Sequence, residues 1–262
     1  MTDTSTFRPQ SEHSSRRHSG EQTLLSTEQV KAFHHDGFVE EQVRHFMLLL
    51  GAAAGEPSEV VDVGGGCGFF AQRLTALTGR KVLVMDTDAS SIEACREAGV
   101  EAMYGDALCP QVTGREGVVT FNQILHHLVG RSERLTQELQ RQALRVWRDQ
   151  VRAVFVNEYI YESYLGNFSG WFIYQITKSQ LLSWFGRAVA IFVPSLKANT
   201  FGVGVRFRAH REWLRLFESA GYEVKSSILG IEENVSPARR MLLIKHRRRD
   251  SFLLEPRSNS AR

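Results

Sequence analysis

Five short apolar runs stand in the middle of the chain, and stretches with helical spacing lie between them. The runs predict strands at Glu59–Val63, Lys81–Met85, Glu101–Tyr104, Gly117–Asn122 and Val151–Asn157. The stretches between them predict helices at Phe69–Thr78, Ser90–Ala98 and Glu133–Gln150. Strands that alternate with helices across short connections have few ways to pair. Parallel pairing with right-handed crossovers puts helices on both faces of one sheet. The expected fold class is α/β, with a doubly wound sheet.

The ends of the chain complete that sheet. Ser26 to Ala54 reads as helix with a break near Asp36-Gly37, an N-terminal helical cap carrying Val43, Phe46, Met47 and Leu50 on one face. A last helix is expected over Arg211–Ala220, with Gly221 as its C′ residue. Two strands follow at Glu223–Leu229 and Arg240–Lys245, joined by a connection too short for a crossover helix. They are expected to pair antiparallel, one beside the fifth strand and one at the edge. The sheet is thus seven-stranded and mostly parallel, with an antiparallel last strand. Between the fifth strand and the last helix lies an insertion dense in Tyr, Trp and Phe.

The domain plan that follows is a disordered lead-in over 1–24, the helical cap over 25–56, the main domain over 57–247 with its insertion at 158–207, and a basic tail over 248–262. The lead-in is polar and lacks the apolar core of a secretory signal. The run from 181 to 196 is interrupted by Arg187 and Pro194 and falls short of the ~20 residues that span a bilayer. No membrane association is expected.

Net charge is +3, but the stretch from Arg239 to Arg262 carries eight Lys/Arg against two Asp/Glu, so the remainder is slightly acidic. That argues against a nucleic-acid partner, which needs basic residues spread over a face. Arg247-Arg248-Arg249 reads as a solvated strand end or tail. Three scattered cysteines (Cys67, Cys95 and Cys109) lack metal-ligand spacing and read as reduced thiols of a cytoplasmic protein with no metal.

Directly behind the first strand stands Val60-Val61-Asp62-Val63-Gly64-Gly65-Gly66-Cys67-Gly68. A cluster of glycines there marks a tight turn, or a ligand lying against bare backbone. In doubly wound folds ligands bind at the carboxyl ends of the strands. The second strand ends in Asp86, about twenty residues on, and the third is followed by Gly105-Asp106-Ala107.

With these residues in view, the sequence resembles the class I S-adenosylmethionine-dependent methyltransferases. VVDVGGGCG is similar to their first motif, VLVMD to the strand carrying their ribose-binding acid, YGDAL to their adenine-side motif, and VVTFNQILHH to their fourth-strand motif. The resemblance covers roughly Glu59 to Lys245. It implies S-adenosyl-L-methionine as cofactor. Gly64, Gly66 and Gly68 would form the turn, with Asp86 and Thr87 at the ribose and Asp106 and Ala107 at the adenine. Asp62, Asn122 and Gln123 would face the methionine part.

The rival is a nicotinamide-dinucleotide oxidoreductase, because Gly66-x-Gly68-x-x-Ala71 fits G-x-G-x-x-G/A. That frame starts three residues past the strand's last valine and gives Asp62 and Asp106 no role. A non-catalytic cofactor-binding partner protein is the other alternative, with the insertion as a homodimer interface.

A base is needed only where the acceptor arrives protonated. His126 and His127, just past the fourth strand, are candidate bases, although LHH is equally a helix-start packing motif. Glu158 is a third candidate. The acceptor is expected to be a small molecule, methylated on oxygen, nitrogen or sulfur. Tyr159, Tyr161, Glu162 and Trp171 of the insertion are expected to face it. Arg206 and Arg208 in VGVRFRAH are candidates to pair with a substrate carboxylate, with surface or helix-entry roles as the alternative.

Overall fold

The computed structural model describes residues 37–51, 59–110, 113–184 and 203–257. The lead-in, the first part of the cap and Phe185 of the aromatic insertion lie outside them. Helix α1 covers Val39–Leu50, followed by β1 (Glu59–Val63), α2 (Phe69–Thr78), β2 (Val82–Asp86), α3 (Ala89–Glu97), β3 (Ala102–Tyr104) and β4 (Glu116–Asn122). After a 3-10 turn at Leu125–His127 come α4 (Glu133–Arg145), β5 (Ala153–Ser163), α5 (Phe168–Lys178), α6 (His210–Ser219), β6 (Tyr222–Ile228), α7 (Pro237–Arg240) and β7 (Ile244–Pro256).

The seven strands form one sheet in the order β3-β2-β1-β4-β5-β7-β6. The first five are parallel, and β7 runs antiparallel to both its neighbours. The order reverses between β1 and β4, so a cleft opens at the carboxyl ends of those two strands.

Alternation along the strands feeds two cores. Val154 and Val156 of β5 point into one layer, with Phe121, Trp147, Trp213 and Phe217. Phe155 points into the other, with Val43, Phe46 and Leu50 of α1 and Phe70 and Leu74 of α2. Phe46 lies edge-on to Phe70 at 5.7 Å and to Phe155 at 5.4 Å. Each such ring removed from water is worth about 2 to 3 kcal/mol. The described part of the N-terminal cap is therefore core, packed against the sheet.

Two expectations fail at the end of the chain. The last strand does not run over Arg240–Lys245. Pro237 at the first helical position and the Ser236 side chain, which accepts from the Arg239 amide, start helix α7 there instead. The basic tail expected from 248 is, as far as Pro256, the second half of β7. The charges that made it look solvated are neutralised. Arg248 clasps Asp250 at 2.8 and 3.1 Å, and Arg249 binds Glu41 at 2.8 Å as well as Glu233.

Strand β5 also runs six residues past its expected end at Asn157. β7 pairs with it through Ser163, and on the other edge, where β4 has stopped, the Tyr161 amide donates to the Arg208 carbonyl at 3.1 Å. Among the described residues no helix is long and apolar enough to cross a membrane.

Candidate active site

The turn after β1 begins at Gly64, whose amide donates to the Met85 carbonyl at 2.7 Å. Gly64, Gly66 and Gly68 all have positive φ, which non-glycine residues adopt only with strain. At Gly66 a Cβ would meet nothing within 4 Å, so the bare backbone there faces open space. A turn that starts at Gly64 matches the methyltransferase-like frame and not the one beginning at Gly66.

Asp86 holds this turn in place. Its Oδ2 accepts the Gly66 amide at 3.0 Å and its Oδ1 the Asp88 amide at 2.9 Å. Burial pushes its carboxyl above the ordinary carboxylate range, against the pull of those two amides. A carboxylate offers about four acceptor sites, so Asp86 keeps acceptor capacity beyond those two amides. Thr87 beside it is exposed. Asp106 caps the turn after β3 by accepting the Leu108 amide at 2.8 Å, and Ala107 is buried beneath it.

Asp62 is fully buried. Its Oδ1 accepts from the Thr120 hydroxyl at 2.7 Å and from Asn122 Nδ2 at 3.0 Å, while its Oδ2 and Asn122 Oδ1 are buried with no hydrogen-bond partner. Burial pushes the Asp62 carboxyl up to about 6, although the bonds from Thr120 and Asn122 pull it down. Orphaned acceptors of this kind cost several kcal/mol unless a donor or a cation meets them. Gln123 follows with φ 58, its amide donating to the Asn157 carbonyl at 2.8 Å.

Three residues further on, Glu158 reaches across from β5. Its Oε2 lies 2.6 Å from His126 Nδ1 and its Oε1 accepts the Leu125 amide at 2.7 Å; both side chains are buried. With both oxygens acting as acceptors, Nδ1 carries the imidazole proton and Nε2 is left as the basic nitrogen. Phe207, Tyr159 and His127 surround the ring at centroid distances of 5.0, 6.0 and 4.2 Å, and Phe38 from the start of α1 meets Tyr159 edge-on at 6.3 Å. Burial holds His127 well below the usual histidine range, with His126 adding to the effect. Of the two histidines, His126 is the one with a carboxylate on its Nδ1.

The structure therefore brings together Asp62 with Asn122, Asp86 with Gly66, and His126 with Glu158 and Tyr159. Others do not join them. Glu162 accepts the His210 amide at 3.1 Å, Tyr161 is buried in a stack with Phe207, and Trp171 on α5 is 40% exposed. Arg206 is the clearest correction. It is 1% exposed, with its guanidinium on Glu133 at 2.8 Å, on Glu212 at 3.2 Å and on the Phe207 carbonyl, so no face is left for a substrate carboxylate.

Sequence reasoning missed Thr120, Asn157 and Phe207. A signal existed for the first, since a polar residue sat in an otherwise apolar parallel strand, directly opposite Asp62. Phe207 gave none.

No family model matches this chain, and no curated protein matches it. Among solved structures it shares its fold with several proteins, methyltransferases among them. The mitomycin 7-O-methyltransferase MmcR is 16% identical, with 84% of this chain and 54% of that one aligned at a TM-score of 0.51. Magnesium protoporphyrin IX methyltransferase ChlM from Synechocystis PCC 6803, solved with bound SAH, is 12% identical, with 89% of each chain aligned at 0.51. LepI, solved in complex with SAM, is 15% identical, with 84% of this chain and 46% of that one aligned at 0.50. The chain thus spans about half the length of MmcR and LepI. At these identities the likeness is one of fold.

Proposed function

We propose that the protein is an S-adenosylmethionine-dependent methyltransferase that methylates a hydroxyl group on a small, ring-bearing molecule. The observation that carries this reading is the buried His126–Glu158 pair at 2.6 Å, ringed by Phe207 and Tyr159 and only four residues past Asn122. The fold's likeness to methyltransferases solved with SAH or SAM supports the cofactor, and the residues at the strand ends fit it. Asp62 Oδ2 is a buried acceptor waiting for a cation such as an ammonium group, Gly66 leaves room for a ligand, and Asp86 retains acceptor sites for ribose hydroxyls.

When bound, the cofactor supplies an electrophilic methyl group on a positively charged sulfur. This chain supplies the rest. Aromatic side chains around His126 give a planar acceptor a surface to stack on and keep water away. His126 Nε2 would take the proton of the acceptor hydroxyl. Glu158, bonded to Nδ1, keeps the ring in the right tautomer and stabilises the imidazolium that results. The proton then leaves to solvent with product release.

The test has two arms. Calorimetric titration compares S-adenosylmethionine and S-adenosylhomocysteine with NADH and NADPH; binding of the adenosylmethionine pair alone is expected, and binding of a dinucleotide alone overturns the cofactor. Labelled-methyl transfer to a panel of phenols and polyphenols then compares wild type with His126→Ala. A fall in kcat of roughly 10²-fold or more with unchanged cofactor affinity is expected. An intact kcat in the variant removes His126 as base.

A further inference from the structure

Residues 205 to 208 form a short segment that lies beside β5 beyond the end of β4. On one edge they bridge to β5, Ile160 opposite Arg208. On the other edge the Arg206 amide donates to the carbonyl of His126 itself at 2.9 Å. Successive side chains of a strand point to opposite faces. Arg206 and Arg208 turn to the helical layer and Phe207 to the other side.

The two arginines are anchored where water does not reach, at 1% and 2% exposure. Glu133 accepts from both, at 2.8 and 2.9 Å, and Glu212 accepts from Arg206 at 3.2 Å. Arg208 Nε also donates to Gln140 Oε1 at 2.9 Å, and the amide of Gln140 in turn donates to the Leu125 carbonyl at 2.9 Å. Two buried cations on two partly exposed carboxylates contribute little net stability compared with apolar residues of similar size. Their directional bonds do fix where the segment lies. Phe207 is the result of that fixing, its ring 5.0 Å from His126 and stacked on Tyr161 at 4.2 Å with 8° between planes.

We infer that residues 205–208 are a positioning segment for His126, with the buried Arg206 and Arg208 as its anchor and Phe207 as the side chain that sets the plane of the imidazole. The inference rests on reading His126 as the proton acceptor. His126 and Leu125 are then held from every side: both carbonyls by the Arg206 amide and Gln140, the Leu125 amide and imidazole Nδ1 by Glu158, and the ring face by Phe207. Val205 continues the connection outward, its amide donating to the Thr177 hydroxyl of α5 at 3.1 Å.

The experiment uses full-length protein labelled with ¹⁵N-histidine. The hydrogen-bonded Nδ1 proton of His126, assigned by its loss in His126→Ala, is compared among wild type, Phe207→Leu and Phe207→Tyr. Phe207→Leu is expected to shift or broaden that resonance and to lower kcat by about tenfold or more, with cofactor affinity and Tm close to wild type. Phe207→Tyr, which keeps the ring, is expected to restore both. If Phe207→Leu does not fold, Phe207→Met tests the same point with a flexible side chain of similar volume. A folded variant lacking the ring, with the wild-type His126 resonance and wild-type kcat, overturns the inference. Wild type that transfers no methyl group removes the proposed function instead; the Nδ1 resonance then decides the positioning role alone.

Discussion

The cleft at β1, β2 and β4 and the extension of β5 and β7 treat polar groups in opposite ways. Around the glycine turn, Asp62 Oδ2 and Asn122 Oδ1 are buried and unanswered, and Gly66 faces open space. In the extension nearly every charge is matched: Arg206 and Arg208 by Glu133 and Glu212, Arg249 by Glu233 and Glu41, Arg248 by Asp250. The first arrangement is costly until something binds. In the second every named charge has a counter-charge, although Arg208 Nη2 and Arg247 Nε are buried with no hydrogen-bond partner. Charge alone therefore does not locate a binding site; the cleft is set apart by buried carboxylate and amide oxygens without a donor, beside bare glycine backbone.

The largest expected effect breaks the charge-paired half. Arg206→Ala strands Glu133 and Glu212 with one partner between them, and removing one member of a buried ion pair typically costs about 3 to 5 kcal/mol. Urea unfolding is expected to show that loss, while the folded fraction binds S-adenosylmethionine with wild-type affinity. A stable Arg206→Ala protein with a raised KM for a carboxylate-bearing acceptor would restore the substrate role that the sequence invited.

The same contrast explains what was legible in the sequence. The glycine turn and the acids at the ends of β1 and β2 follow from neighbouring residues and stand where the pattern placed them; the last strand is antiparallel as expected but runs over Ile244–Pro256 instead of Arg240–Lys245. Arg206, Arg208 and Arg249 look like free cations in one dimension because their partners come from α4, α6, α1 and the loop before α7. Strand β5 overran its predicted end for the same reason, since Tyr159 and Tyr161 gain backbone partners from distant segments. The link between His126 and Glu158 was open to a guess, each being a candidate. Phe207 was not, since its aromatic neighbours belong to other strands.

The next two effects fall on the unfilled half. Asp86→Ala frees the amides of Gly66 and Asp88 and removes the remaining acceptor capacity, so cofactor affinity is expected to fall at least tenfold, about 1.4 kcal/mol or more, by calorimetry. Asp62→Asn is expected to lower affinity and raise stability together. The carboxyl is displaced from 3.8 to about 6, which near neutral pH corresponds to a cost of order 3 kcal/mol for holding the charge in the folded chain. Because the folded pKa is the higher one, that cost is absent below 3.8 and grows as pH rises toward about 6. Ligand-free wild type is expected to lose stability across that window and Asp62→Asn to lose less, as paired Tm series would show. Cofactor binding, which needs the charged form, is expected to weaken in wild type as pH falls below about 6. A variant no more stable than wild type at pH 7.5 would mean that Asp62 carries no unmet charge.

The smallest effect is the control. Arg73 and Glu40 join α2 to α1 at 2.7 Å, as close as any pair in the Arg206 cluster, but their side chains are 42% and 73% exposed. Water solvates both partners whether or not they meet, so exposed pairs contribute about 0 to 1 kcal/mol, and salt screens even that. Glu40→Gln is expected to change unfolding free energy by less than about 0.5 kcal/mol, with cofactor affinity unchanged. Distance is nearly equal in the two pairs and burial is not. If Glu40→Gln cost as much as Arg206→Ala, proximity rather than desolvation would set the value of these bridges, and the division between a charge-paired half and a waiting half would lose its physical basis.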